Sequence, residues 1–470
     1  MEPTRAGGFA ARSHRGQALT TSTRYQELQD LDLAHLIHPL WHREAQRNAL
    51  IFERGEGIYL YDTEGRRYID GLSSLWNVNV GHGRRELAEA AAEQMRAVAF
   101  TSSYTGYANE PSIRLAAALA EVTYPSLNAV FFSSGGGEAN ESAFKVARFY
   151  WKLLGKPTKT KFISRVDSYH GVTFATMSAT GMPVYHEYFS PVMPGFFQAE
   201  APWEYRAQLD RGWGDRTARA VRSIEAIIER EGADTIAAVI AEPVQGAGGV
   251  IPPPPDYWRA LRDLCDRHDI LLIADEVITG FGRTGDWFAL TRWGIEPDLM
   301  SVAKGINSGY TPLGATFVSD RILEAMVSAP PSLKFMHTFT ASGHPVSCAV
   351  ALRHLQILKE ERLAENAARM GERLLNGLKS LDDIDIVGDV RGLGLLAAVG
   401  LVRDKASGAP FDPPGGVGAR VVAEMRARGV ITRHRNEAIC FAPPLIIEPD
   451  EVDRVVEVTR DAVLAVRAAL

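Results

Sequence analysis

The sequence predicts an α/β protein built on a mainly parallel sheet, and three observations lead there. Short apolar runs alternate with longer segments of helical period, which is the pattern of βαβ units. One run, Ile270-Leu271-Leu272-Ile273-Ala274, is apolar on both faces, as a strand buried in a parallel sheet must be. At three places a polar group follows such a run directly, and open α/β sheets collect ligands beyond the carboxyl ends of their strands.

Taken in order, Met1–Arg24 carries Arg5, Arg12, Arg15 and Arg24, several Ser and Thr, and the single acid Glu2. That composition is similar to a transit peptide, but it lacks an apolar stretch and an amphipathic stripe, so it reads as a flexible arm. Gly57–Asp62 and Arg67–Leu72, joined by Thr63-Glu64-Gly65-Arg66, predict a β-hairpin. Asn128–Ser133 reads as a strand, and Glu138–Trp151 as a helix with Ala139, Ala143, Val146 and Tyr150 on one stripe. Thr160–Ser164, Ala237–Ala241, Ile270–Ala274 and Asp298–Ala303 are further strands. After Ser342-Gly343-His344-Pro345 come helices at Val346–Glu360 and Leu363–Leu381 and strands at Ile384–Val387 and Leu393–Leu401. A Gly/Pro turn at Pro410–Gly416, a helix near Val417–Arg428 and a closing helix from Asp450 complete the chain. The expected division is residues 1–80, an arm and hairpin contributing to a small domain; 81–345, a large ligand-binding domain; and 346–470, a C-terminal small domain.

Composition excludes several classes. Against 57 Asp+Glu the 470 residues carry 51 Lys+Arg, a net charge of −6 without a basic block, which gives nucleic acid no electrostatic footprint. The longest uncharged apolar runs fall far short of the roughly 18 residues of a membrane span. Cys265, Cys348 and Cys440 are odd in number, far apart and outside any CxxC, which fits a reducing cytoplasm and argues against a disulfide framework or a structural zinc site.

The three polar sites carry the chemistry. Ser134-Gly135-Gly136-Gly137 lies between a predicted strand and helix, where exposed N–H groups favour an anion. It is neither GxGxxG nor a Walker motif, and a tight strand–helix turn is the alternative. Asp275-Glu276 stands at the mouth of the apolar strand, where a carboxylate must be paired or hydrogen-bonded; a structural ion pair or a helix cap would satisfy the same need. Lys304 follows Leu299–Ala303, and burial would lower its pKa as an amine nucleophile requires, whereas a solvated lysine has no such role. Together the three match the demands of pyridoxal phosphate: phosphate anchorage, a partner for the ring nitrogen and an imine-forming amine.

The resemblance is then specific. Asp275-Glu276-Val277-Ile278-Thr279-Gly280-Phe281-Gly282-Arg283-Thr284-Gly285, Pro297-Asp298 and Ala303-Lys304-Gly305 resemble the signature of class III aminotransferases, the omega-transaminase group of the aspartate aminotransferase fold, fold type I. The blocks Asp70–Gly83, Tyr169-His170-Gly171, Ala241–Gly249, Ser342-Gly343-His344-Pro345 and Ala442-Pro443-Pro444-Leu445 follow in order.

The resemblance implies a pyridoxal 5′-phosphate-dependent transaminase, with a large mainly parallel domain and a smaller α+β one. It implies that Lys304 binds the cofactor and that Asp275 keeps the ring nitrogen protonated. Tyr169 would stack on one ring face and Val277 press the other. Gly136 and Gly137, with Ser134 and Gly135 in the same loop, would hold the phosphate, and Glu242 belongs to the same set. Phe339 and Thr340 would complete the phosphate site across a homodimer interface. Gly137 replaces a common serine, Thr338 a usual glycine, and Ala341 a common tyrosine. Trp76 matches an aromatic of the substrate pocket, with a core tryptophan as the alternative. Arg433 matches a mobile arginine that binds the keto-acid carboxylate. Arg435 is two residues away, and for either arginine the alternative is an exposed charge. An amine, omega-amino acid or taurine-like donor and pyruvate as acceptor are expected. An aminomutase or decarboxylase on the same fold is the rival, and no nucleic-acid or membrane partner is expected.

Overall fold

The computed structural model describes residues 21–47, 49–203 and 216–470. Residues 1–20 of the expected arm lie outside them, and Thr21–Arg24 begin a helix, Thr21–His35. The described chain divides into two compact units, one holding the residues up to Gly55 together with Leu60–Arg67, the other Glu56–Tyr59 and Tyr68–Leu470.

In the first unit, a tight turn is closed by the Asp62 N–H donating to the Arg66 carbonyl at 3.1 Å. The Asp62 carboxylate accepts from the N–H groups of Glu64 and Arg66, the usual way an aspartate rigidifies a turn. Strands β1 (Phe52–Glu56), β2 (Tyr59–Asp62) and β3 (Arg67–Asp70) bracket this region of the chain.

The second unit is organised by a seven-stranded sheet of β4 (Ala129–Ser133), β5 (Lys161–Arg165), β6 (Phe196–Ala199), β7 (Ile236–Ala241), β8 (Leu271–Asp275), β9 (Leu299–Val302) and β10 (Gly314–Val318). The strand order is β4-β10-β9-β8-β7-β5-β6. The run from β9 to β6 is parallel throughout, and β10 alone lies antiparallel to both its neighbours. The central strands β7 to β10 are buried along their whole length, and β7 and β8 read as apolar runs rather than alternations. Leu271, Leu272 and Ile273 are fully buried, and each contributes roughly 1.5–3 kcal/mol. The Gly136–Leu153 helix turns the predicted stripe of Ala139, Ala143, Val146 and Tyr150 inward, with Ala147 beside it, and packs on β9 and β10.

In this sheet the predicted strands shift by a residue or two, and two of the seven were not foreseen. Phe196–Ala199 is short, and Gly314–Val318 opens with a glycine and carries Thr316, whose hydroxyl donates to the Ala139 carbonyl instead of facing water.

A second sheet, β11 (Val387–Leu393), β12 (Leu396–Leu401), β14 (Arg433–Arg435) and β15 (Ala438–Phe441), is antiparallel in the order β11-β12-β15-β14. The short β13 (Val430–Ile431) pairs with β3. Two expectations need correction here. Ile384–Ile386 is a turn, and Leu393–Leu401 is not one strand: Leu393 pairs with Leu396 across a turn at Gly394. Gly394 has φ +57° and lies so close to the Thr284 backbone that a Cβ would sit 2.4 Å from it, so only glycine fits the turn.

Candidate active site

Parallel strands end on the same edge, so consecutive strands place their following residues side by side. Ala241 is in register with Ala274, and Asp275 with Ser301. Glu242, Asp275 and Lys304 therefore stand at the carboxyl ends of the adjacent strands β7, β8 and β9. β4 runs in the same direction, since β10 is antiparallel to both β4 and β9, so the Ser134–Gly137 loop that follows β4 shares this edge with Asp275 and Lys304.

Asp275 is 3% exposed, and its charge is met by hydrogen bonds. Oδ2 lies 2.7 Å from His170 Nδ1 and accepts from Asn140 Nδ2 at 2.8 Å, while Oδ1 accepts from the Val277 N–H at 3.1 Å. Glu276 takes the structural alternative. Its buried carboxylate accepts from the Tyr124 hydroxyl, the Thr279 hydroxyl and the Leu290 N–H. Glu242 accepts from the N–H groups of Tyr169 (3.0 Å) and Gly246 (2.8 Å), and burial holds its pKa above the usual carboxylate value.

Lys304 has a left-handed backbone, φ +47°, and its amine has no hydrogen-bond partner among the described residues. Burial pushes its pKa down to about 8, against the opposing pull of Asp275 and Glu242, and Arg433 lowers it further. An amine tuned this way is partly neutral near pH 8.

The glycine loop ends in the first turn of the Gly136–Leu153 helix. Gly135 is its extended N-cap, without a side-chain cap, and the first N–H groups of a helix have no partner inside it. Ser134 is held by its N–H donating to Glu138 Oε2, 2.8 Å. Gly136 is backed by Val277, whose methyls would lie 3.0 and 3.1 Å from a Cβ there, while a Cβ on Gly137 would meet nothing within 4 Å. Gly171, with φ +127°, packs on Gly137: its Cβ would be 3.0 Å from the Gly137 Cα. The loop carrying Tyr169 and His170 is thus fastened to the helix start. The Tyr169 ring is 5.4 Å from Tyr185.

On the second sheet, Arg433 pairs across strands with Cys440 and Arg435 with Ala438, so both arginines lie on one face of β14. Arg435 is engaged, 3.8 Å from Asp167 and donating to Asn436 Oδ1. Arg433 has no ion-pair or hydrogen-bond partner among the described residues, and its charge acts on both Lys304 and Tyr169. Trp76 is 2% exposed, in an apolar cluster with Leu72, Val244, Ile278 and Cys440. The Phe339 ring lies 4.8 Å from His337, and Thr340 is exposed.

Sequence reasoning missed Asn140 and His170. Its one signal was that Asp275 had to be hydrogen-bonded by something. The residues present fit pyridoxal phosphate. A neutralisable amine, a buried carboxylate and a helix N-terminus whose glycine closes directly on Val277 supply one group for each of its ends.

Comparison with known proteins agrees. The model of the family "Aminotransferase class-III" matches residues 41–463. A putrescine–pyruvate aminotransferase of Pseudomonas aeruginosa is 38% identical over 453 residues, 96% of this chain and 98% of that protein. A mitochondrial gamma-aminobutyrate transaminase of rice is 40% identical over 419 residues, 88% of this chain and 81% of that one. Among solved structures, a thermostable (S)-enantioselective omega-transaminase from Thermomicrobium roseum superposes with a TM-score of 0.90 at 50% identity, covering 94% of this chain and 98% of that one. The Pseudomonas jessenii omega-transaminase in complex with PMP gives 0.91 at 40% identity, covering 94% and 98%.

The chain belongs to the class III aminotransferases, with the fold of the type I pyridoxal-phosphate enzymes. It is a transaminase, and pyridoxal phosphate is its cofactor. No helix among the described residues is long and apolar enough to cross a membrane, and no group of three or more potential metal ligands is found among them.

Proposed function

We propose that this transaminase moves the amino group of an amine or omega-amino acid to a keto acid, pyruvate, with Lys304 as the base in both directions. The observation that carries the role of Lys304 is its buried amine, without a hydrogen-bond partner among the described residues, on the strand end beside Asp275, where burial lowers its pKa to about 8. When bound, the cofactor supplies an electron sink for charge developing on the substrate carbon.

Lys304 would take the proton from the carbon that bears the amino group, hold it, and give it back as the acid of the following step. An amine titrating near neutrality suits a general base that must also act as acid. Asp275, held by His170 and Asn140, keeps a proton on the ring nitrogen. Tyr169 and Val277 would bracket the ring. The N–H groups of Gly136 and Gly137 would hold the phosphate, with Ser134 and Gly135 shaping the loop. Glu242 fixes the backbone of Tyr169. Arg433 binds the carboxylate of the keto acid, a role supported by the lack of an ion-pair or hydrogen-bond partner for its side chain among the described residues, and Trp76 bounds the donor's side.

Phe339 and Thr340 of a second copy complete the phosphate site. The exposure of Thr340, together with the exposed apolar side chains Met95, Val98, Phe100, Tyr104 and Tyr107, supports a homodimer. A cytoplasmic location is supported by three buried cysteines without a disulfide among them.

A donor panel of a diamine, an omega-amino acid, taurine and an aryl-alkyl amine, each run with pyruvate and with 2-oxoglutarate, tests the substrate assignment. Release of a carbonyl product that depends on pyruvate is the expected result. Conversion of the donor to an isomeric amine, or loss of CO2 from it, without any keto acid and without a carbonyl product, would instead favour a mutase or decarboxylase.

A further inference from the structure

Arg283 is fully buried, and among the described residues no carboxylate hydrogen-bonds its guanidinium, although the Asp70 charge acts on it without a hydrogen bond. Nη1 donates to the carbonyls of Pro443 (2.5 Å) and Leu395 (3.3 Å), and Nη2 to Ser73 Oγ (3.1 Å) and Asn79 Oδ1 (2.8 Å). Its four acceptors come from three stretches of chain that are remote in sequence. Burying a cation on neutral acceptors is expensive, and the guanidinium's pKa is pushed down to about 9 by burial. A residue that served packing alone would not need the charge.

What it touches lies behind the site. Asn79, fixed by Arg283 at its oxygen, donates through Nδ2 to the Phe281 carbonyl at 3.0 Å. The same Nδ2 would be 2.6 Å from a Cβ on Gly305, so the Asn79 amide forms the wall against which the turn after Lys304 rests. Ser73, the other side-chain acceptor, passes its own proton to the Ala442 carbonyl at 2.6 Å and opens the short segment ending at Trp76. Ser73, Ser74 and Trp76 all have left-handed backbones, φ 49°, 56° and 64°, as Lys304 has. Conformations of this kind persist only where neighbours over-determine them.

We infer that Arg283 is a positioning residue that acts through Asn79 on the Lys304 turn and through Ser73 on the Trp76 segment, setting both sides of the site from one buried cation. The inference rests on Lys304 being the base.

The test uses the cofactor-loaded enzyme and the variants Asn79→Ala, Ser73→Ala, Arg283→Lys and Arg283→Met, read by kcat, KM for the amine, the pH titration of the cofactor's visible band and the thermal midpoint. Asn79→Ala is expected to lower kcat by about tenfold to a hundredfold, the range a small misplacement costs, and to move the midpoint of the band's titration. Ser73→Ala is expected to raise KM for the amine several-fold with kcat and the titration unchanged. Arg283→Met combines both effects, and Arg283→Lys, which keeps the charge, restores part of them. If Arg283 variants do not fold, the Asn79 and Ser73 variants decide alone. A fall in thermal midpoint with kcat, KM and titration like wild type in those two variants would overturn the inference. Lys304→Ala is the control: turnover surviving in it refutes the reading of the site, whereas a dead Lys304→Ala beside wild-type-like Asn79→Ala and Ser73→Ala refutes only the role of Arg283.

Discussion

His170 Nδ1 lies 2.7 Å from Asp275 Oδ2, with the imidazole wholly buried and the carboxylate nearly so. Asn140 reaches the same oxygen. The carboxylate is therefore fixed in place before any ligand reaches it, which is the arrangement that makes an electrostatic group effective. Asp275→Asn is expected to lower kcat by about a hundredfold to a thousandfold. His170→Ala, which leaves the charge but loosens it, should cost about tenfold. Steady-state kinetics on the two variants decide it, and equal effects would mean that orientation matters as much as charge.

Lys304→Ala should abolish both turnover and the visible band of the bound cofactor. The titration of Lys304 has a separate consequence for stability. A lysine in the unfolded chain titrates near 10.4, but at about 8 in the folded one. Between these values the unfolded chain binds more protons, so stability rises with pH across that window, and below about pH 8 the full penalty of burying the charge is present. In cofactor-free protein, the gain in urea midpoint from Lys304→Met should be largest below pH 8 and shrink as pH rises toward 10. A gain independent of pH would contradict the lowered pKa.

The glycines of the phosphate loop are not equivalent. Gly136→Ala puts a methyl group 3.0 Å from Val277 and should weaken cofactor binding about tenfold or more, since Val277, proposed to press on the ring, must move. Gly137→Ser meets open space, adds a hydroxyl donor, and should hold the cofactor as tightly as the parent or severalfold more tightly. Cofactor titration by fluorescence compares them directly.

Arg433→Ala should raise KM for pyruvate by about tenfold to a hundredfold, the worth of a charge-assisted hydrogen bond, with KM for an amine lacking a carboxylate nearly unchanged. Arg435→Ala, whose guanidinium already has Asp167 and Asn436, should change the pyruvate KM less. A reversed order would move the carboxylate site one step along β14.

The legible parts of this protein were those written locally. The apolar runs of β7 and β8 announce buried parallel strands, and Asp275 and Lys304 stand out because each follows such a run without a break. β10 was missed because a strand of five residues opening with glycine has little period to read. Asn140 and His170 reach Asp275 across 135 and 105 residues of sequence, so no local pattern joins them. Arg283 was visible only as one letter of a motif, since two of its four acceptors are main-chain carbonyls, which every residue carries.

Lys304 stands in the left-handed region of backbone space, with φ +47°. A non-glycine residue in the left-handed region costs about 1–2 kcal/mol, and glycine would adopt it without that penalty. Lys304→Gly should therefore be a dead enzyme that resists heat better than the living one. Folding and turnover pull this position in opposite directions, and the lysine records which of them prevailed.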